Sequence, residues 1–251
     1  MMKRLTCCAA VALLAIGCQT PAKSTKPGPP APTPSTTSSA APSVPDSVRW
    51  VQQSAEYPAL VLQTYRLATA RVEREASGRA RGSWAVILDA DETVISNATY
   101  QAERGRLGLA YSPDSWHAWV QRREATALPG ARAFLAKVRD LGGRIAIVTN
   151  RLGSECDDTA AVFATHALVY DAMLCRADGT PSDKNPRFRS VADGTSSLGA
   201  ARLDVIMFVG DNILDFPALD QSVRARGDAA LGDFGTRFFM LPNPMYGSWL
   251  Q

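Results

Sequence analysis

Beyond Gly82 the chain breaks into short apolar runs: Trp84 to Leu88, Ile145 to Val148, the stretch around Ala172 to Leu174, Val205 to Val209, and Phe238 to Leu241. Short uninterrupted apolar runs bounded by polar residues are the pattern of strands buried on both faces, as in parallel sheets. Between them lie stretches with helical spacing, such as Ala131 to Leu141. The alternation predicts an α/β fold, a doubly wound parallel sheet covered by helices on both faces. Ahead of Gly82, Val48 to Ala76 carries apolar residues at Val51, Ala55, Ala59, Leu62 and Leu67. That spacing predicts a helical arm packed alongside, bent or interrupted at Pro58. Ligands on such sheets bind beyond the carboxyl ends of the strands. Polar residues directly after the apolar runs are therefore the candidates for chemistry.

The first 47 residues follow no such pattern. Lys3 and Arg4 precede an apolar run from Ala9 to Ile16, which is too short to span a bilayer as a helix, and Ala15-Ile16-Gly17-Cys18 closes it with small residues. Residues 1–17 read as a signal peptide. Cleavage before Cys18 and lipidation of its thiol would anchor the protein by acyl chains. The alternative is an ordinary secretory signal with Cys18 incidental, since Ala15 stands where a lipobox usually has Leu. Gln19 differs from the Asp that often retains lipoproteins on the inner membrane. The expectation is a bacterial cell-envelope protein, an outer-membrane lipoprotein facing the periplasm or the exterior. From Pro21 to Pro45 there are eight prolines in 25 residues, among Ser, Thr and Ala. Such a segment has too little apolar surface to pack, and its prolines favour extended backbone at about 3.1 Å per residue. Residues 18–47 are read as a lipidated cysteine and tether, and 48–251 as the folded domain.

Composition narrows the function classes. The 251 residues are 46% hydrophobic and 20% charged, enough for one real core. The formal charge of +3 includes Lys3 and Arg4, leaving 25 basic against 24 acidic side chains with no basic cluster. That excludes the electrostatic footprint of a nucleic-acid binder. Of five cysteines, Cys7 and Cys8 leave with the signal and Cys18 is the anchor. Cys156 and Cys175 remain, and an exported chain permits either a disulfide or two buried thiols.

Four polar constellations stand out. Asp89-Ala90-Asp91-Glu92-Thr93 follows the first apolar run, Thr149-Asn150-Arg151 the second, and Gly210-Asp211-Asn212-Ile213-Leu214-Asp215 the fourth, while Lys184 lies in the polar stretch Ser182 to Asn185. Each alone reads as a cap, a turn or a solvated lysine. Their order, with three of them directly after buried strands, resembles the haloacid dehalogenase superfamily, whose motifs are Asp-x-Asp-x-Thr, a strand-terminal Thr or Ser, a Lys, and Gly-Asp-x-x-x-Asp. Further runs, from Trp50 to Tyr57, Ser115 to Val120 and Leu241 to Trp249, are similar to the class C acid phosphatases of the lipoprotein e(P4) group, over roughly residues 48–250. Leu214 departs from the family, which commonly has Asp there, and a local effect on the metal surroundings is expected. The resemblance implies an exported, often lipid-anchored, Mg²⁺-dependent enzyme acting on nucleoside monophosphates and similar esters. It implies a small helical cap between Asn97 and Ala127. It also implies that Trp116 and Tyr246 sandwich a nucleobase, whereas Trp119 is expected to be packing.

The chemistry follows from the residue types. A phosphomonoester is a dianion, so a carboxylate nucleophile needs its charge offset, and a hard cation with oxygen ligands does that. Asp89, the backbone carbonyl of Asp91 and Asp211 are the candidate Mg²⁺ ligands, with Asp215 orienting the metal shell. Asp89 is the candidate nucleophile and Asp91 the general acid and base, while Thr149, Asn150 and Lys184 would hold phosphoryl oxygens. A phosphotransferase on the same scaffold and a non-catalytic nucleotide-binding surface lipoprotein remain as alternatives. Other phosphatase chemistries lack their motifs. His117 and His166 sit in no Arg-His-Gly context, Cys156 and Cys175 are followed six residues on by Val162 and Pro181 rather than Arg, and no zinc-ligand spacing occurs. In the implied fold Cys156 and Cys175 fall near the carboxyl ends of adjoining strands, so a disulfide can form if their Cα atoms lie within about 7 Å.

Overall fold

A computed structural model of the chain describes residues 43–199 and 201–250. The expected signal, Cys18 and nearly all of the tether lie outside those residues. Two helices, α1 (Asp46–Gln53) and α2 (Glu56–Ala76), lead into strand β1 (Trp84–Leu88). The cap comprises β2 (Ile95–Ser96), α3 (Ala98–Arg106), α4 (Pro113–Arg122) and β3 (Thr126–Ala127). The remainder is α5 (Ala131–Asp140), β4 (Arg144–Leu152), α6 (Cys156–Thr165), β5 (Ala172–Arg176), α7 (Asn185–Ala192), β6 (Asp204–Gly210) and β7 (Phe238–Met240).

The five main strands form one sheet in the order β5-β4-β1-β6-β7, every neighbouring pair parallel. Alternation along β1 divides the core, as the two-residue period of a strand requires. Trp84, Val86 and Leu88 face Tyr65, Ala68 and Val72 of α2, Phe134 and Val138 of α5, and Phe163 of α6. Ala85 and Ile87 face the opposite way, with Phe188 and Val191 of α7 and the aromatic cluster of Phe208, Phe216 and Phe238. Both faces are covered, and the doubly wound reading holds.

The arm differs from its expected form. The helix breaks at Ser54 and Ala55, not at Pro58. Ser54 is extended (ψ 149°), and its hydroxyl accepts from the Tyr57 amide at 3.2 Å, so it starts the second helix. Pro58 sits in the first turn of α2, where a missing N–H costs nothing because that donor has no partner within the helix. The break also resets the helical phase. The buried stripe of α2 is Tyr57, Val61, Tyr65, Ala68 and Val72. Ala55, Ala59 and Leu67 are exposed and Leu62 is half-buried, so only Val51 of the expected stripe is core.

The cap is helical as expected, but it is closed at its base by the antiparallel pair β2 and β3, too short to be visible as apolar runs. The arm packs against it: Gln52 donates to the Ala98 carbonyl at 3.3 Å, and a Cβ on Gly105 would meet Pro45 Cδ at 2.5 Å. Among the described residues no helix is long and apolar enough to cross a membrane.

Candidate active site

The site lies beyond the carboxyl ends of β1 and β6 and along the last residues of β4. Asp89 is the first residue past β1, and its amide donates to the Val209 carbonyl at 3.0 Å, which fixes the strand exit. Asp211 follows β6 directly. Carboxylate oxygens of Asp89, Asp211 and Asp215 lie within 4.8 Å of one another. Lys184 caps α7 and is buried (4% exposed), its ammonium donating to Asp89 at 2.5 Å and to Asp215 at 2.6 Å. Sequence alone left this lysine indistinguishable from a solvated one. Removing its charge would leave two buried carboxylates facing each other, a loss of about 3–5 kcal/mol by analogy with broken buried pairs.

One lysine does not neutralise three carboxylates. Burial pushes Asp89 up to about 7, the Asp215 and Asp91 charges adding to the rise while Lys184 opposes it. Burial likewise raises Asp211 well above the usual range, helped by Asp215 and Asp89 and opposed by the amide of Asn243, which donates to Asp211 at 2.8 Å. Burial disfavours the charge of Lys184, but Asp215 and Asp89 outweigh it and raise its pKa. Crowded, all-oxygen and net anionic, with Asp89 and Asp215 buried and Asp211 half-buried, the cluster has the donor chemistry of a hard divalent cation site. Thr93 also donates to Asp211, at 3.2 Å.

Gly210 shows how closely the fourth motif is folded. A Cβ there would lie 2.3 Å from the Asp215 Cβ and 2.5 Å from its Oδ2, so only glycine lets Asp215 turn back towards Lys184. Asn212 supports the same turn, its side chain accepting from the Leu214 amide while its own amide donates to Asp215 at 2.9 Å. Leu214, the departure from the family, is 38% exposed.

Thr149, Asn150 and Arg151 are not past the second strand but on it, because β4 continues to Leu152 with a register shift against β5 after Val148. Thr149 is buried and its hydroxyl accepts from the Arg151 amide at 3.1 Å. Asn150 accepts from Arg187 at 2.5 Å, and the same guanidinium donates to the Thr149 carbonyl. Arg187, three residues past Lys184, carried no expectation, and only its place on the first turn of α7 hints at it.

Arg151 is the larger omission. It is buried and forks onto Asp91, with Nη2 at 2.7 Å and Nε at 3.0 Å from Oδ1, while Nη1 donates to Thr159 at 3.1 Å. Burial works against its charge and Asp91 raises its pKa. Glu92 is fully buried and takes a left-handed backbone conformation (φ 49°), uncommon for a residue with a Cβ. Its carboxylate accepts from the Asn97 backbone at 2.6 Å, from the Asn97 side chain at 3.0 Å and from the Tyr246 hydroxyl. Burial raises Glu92 to about 7, with the Asp91 charge adding to it. Both residues stood inside the motif runs. Their neighbours drew the attention.

Trp119 is packing, as expected: it is 2% exposed, and its indole N–H donates to Asn97 at 2.8 Å. Trp116 is half-buried, with the Arg151 guanidinium 5.3 Å from its ring centroid and Tyr100 edge-on at 5.3 Å. Tyr246 is tied through its hydroxyl to Glu92, whose charge, after burial, raises the phenol further. Both aromatics thus border the group formed by Asp91, Glu92 and Arg151. Cys156 at the head of α6 and Cys175 in β5 form a disulfide with a Cα–Cα distance of 6.1 Å.

Comparison with known proteins gives the family. The family described as HAD superfamily, subfamily IIIB (acid phosphatase) matches residues 31–249. The structure of the class C acid phosphatase from Bacillus anthracis is similar at 30% identity and a TM-score of 0.71, over 81% of this chain and 85% of that one. A second structure of that protein, with tungstate bound, matches at the same identity, coverage and TM-score.

Proposed function

This chain belongs to the subfamily IIIB acid phosphatases of the HAD superfamily and is a phosphomonoester hydrolase, and from that premise we propose that it uses Mg²⁺, forms a covalent phosphate on Asp89, and prefers nucleoside monophosphates. The observation that carries the reading is the group of buried Asp89 and Asp215 and half-buried Asp211, with Lys184 between Asp89 and Asp215. Asp89, Asp211 and the backbone carbonyl of Asp91 would hold the cation, and its all-oxygen donors suit Mg²⁺. When bound, the cation offsets the charge that otherwise keeps a carboxylate from approaching a phosphate dianion.

The protein's own groups do the rest. Asp89 attacks phosphorus, and Asp91 protonates the departing ester oxygen and later takes a proton from the hydrolytic water. Lys184 holds a phosphoryl oxygen and stays protonated beside Asp215, which fixes its position. Thr149 and Asn150 hold further phosphoryl oxygens, with Arg187 bracing that segment of β4. Trp116 and Tyr246 offer aromatic surface to the leaving group, and stacking tolerates any base. The test is turnover of a nucleoside monophosphate after exhaustive chelation. Activity should vanish and return with added Mg²⁺, and undiminished turnover in chelator would reject the metal.

The same reading extends to location. We propose that the chain is exported and lipidated at Cys18, on the strength of Lys3 and Arg4, the apolar run and the small residues before the cysteine. Incorporation of labelled fatty acid that is lost in Cys18→Ser supports it. Equal labelling of both proteins contradicts it.

A further inference from the structure

Asn97 occupies the N-cap position of α3, where Asn is favoured because its side chain can accept from the first turn, yet it makes no such bond. The amide is turned inward and fully buried. Its Oδ1 accepts from the Trp119 indole at 2.8 Å and from Arg151 Nη2 at 3.1 Å. Its Nδ2 donates to Asp91 Oδ1 at 2.8 Å and to Glu92 Oε2 at 3.0 Å. Indole and guanidinium can only donate, and an ionised carboxylate can only accept, so these partners fix which end of the amide faces which. An Asn at a helix start would ordinarily be explained by capping. Here the capping bond is given up for four side-chain contacts.

The consequence falls on Asp91. Its Oδ1 receives three donors, Asn97 Nδ2 at 2.8 Å, Arg151 Nη2 at 2.7 Å and Arg151 Nε at 3.0 Å. Its Oδ2 receives only the longer contact from Arg151 Nε, at 3.2 Å. One oxygen is anchored and the other keeps free lone pairs. We infer that Asn97 is a positioning residue which, together with Arg151, clamps Asp91 by Oδ1 and so presents Oδ2 as the atom that carries the proton. The inference rests on the reading of Asp91 as acid and base. In the first step an Asp89 carboxylate oxygen bonds to phosphorus as the ester O–P bond breaks, and the electron pair of that bond goes to the leaving oxygen, which takes the Oδ2 proton. In the second a water oxygen bonds to phosphorus, its proton passes to Oδ2, and the Asp89–phosphorus bond breaks. The clamp also joins the cap to the chemistry, because Trp119 belongs to α4 and Asn97 leads into α3. A shift of α4 would withdraw the Trp119 indole from Asn97 and loosen the clamp.

The experiment compares an alkyl phosphate, glycerol phosphate, with an activated aryl ester, p-nitrophenyl phosphate, in Mg²⁺-loaded enzyme. Positioned proton transfer is worth about 10²–10⁴-fold and matters least when the leaving group is already stable as an anion. Asn97→Ala should lower kcat/KM, which reports phosphoryl transfer to Asp89 and not the later water step, by about 10- to 100-fold for glycerol phosphate and by no more than about threefold for the aryl ester. In an Asp91→Asn background the same replacement should add less than about twofold, because residues acting through one another are not additive. Should Asn97→Ala melt below the assay temperature, Arg151→Lys is judged by the same criteria, since it keeps the charge but loses the two-nitrogen fork. Equal losses on both substrates, or full additivity with Asp91→Asn, would overturn the inference. If Asp91→Asn itself lost activity equally on both substrates, the acid and base role of Asp91 would fall first, and this inference with it.

Discussion

Replacing both Cys156 and Cys175 with alanine removes a bridge whose ends are 19 residues apart in sequence. In the chain-entropy treatment a closed loop of that size restricts the unfolded chain by about 3 kcal/mol. Both cysteines are half-buried, so the lost packing adds little and the loop dominates. For a domain of this size a kilocalorie per mole shifts Tm by about 2–4 °C, so the variant should melt about 6–12 °C lower. The bridge ties the head of α6 to β5, an edge strand with a neighbour on one side only. Thr159 of α6 in turn holds Arg151 against Asp91. Because the bridge acts on the unfolded chain, α6 and this contact persist in the fold without it, so turnover at temperatures well below the transition should stay close to the parent and thermal inactivation should come early. Calorimetric melts of the Mg²⁺-loaded proteins measure the shift, and thiol titration of the denatured, unreduced parent counts free thiols. A shift under about 2 °C would refute the loop-entropy argument, and two titrating thiols would refute the bridge.

Proton linkage gives a second expectation. Asp89 sits at about 7 in the fold against an ordinary 3.8, so the metal-free fold binds a proton that the unfolded chain gives up. That stabilising contribution is complete below the ordinary value and is lost as pH rises through about 7, so melts of the metal-free protein should show Mg²⁺ raising Tm more at about pH 7.5 than at about pH 5. A Tm increase that grew towards acid pH would contradict it. Trp116→Ala or Tyr246→Ala should raise KM for nucleoside monophosphates by roughly tenfold, since stacking is worth about 1–3 kcal/mol, and leave glycerol phosphate nearly unchanged. Equal losses on both substrates would make these aromatics structural.

Much of this molecule is legible before any coordinates are known. Apolar runs gave away the sheet, because strands buried on both faces cannot hide polar residues, and the polar groups at their ends converge as the parallel topology requires. The arm was read less well. Pro58 looked like the breaker, but a proline in a first turn is tolerated, and the true break at Ser54 shifted the phase of everything after it. Arg151 and Asn97 were missed for a different reason. Their importance lies in partners such as Asp91 and Trp119, 60 and 22 residues away in sequence, and no local pattern records such distances. Arg151 at least stood beside Thr149 and Asn150. Asn97 had no signal beyond a helix start, where its ordinary explanation is wrong.

The nucleophile can be tested without relying on loss of function. Mg²⁺-loaded enzyme is mixed with excess nucleoside monophosphate, quenched in acid within the first turnovers and reduced with borohydride, which converts a phosphorylated aspartate to homoserine. Peptide mass spectrometry then reads every aspartate in the chain. The account predicts conversion at Asp89 alone, and none in Asp89→Asn, which should remain folded and lose turnover. Conversion at any other residue, or sustained turnover by Asp89→Asn, would contradict it.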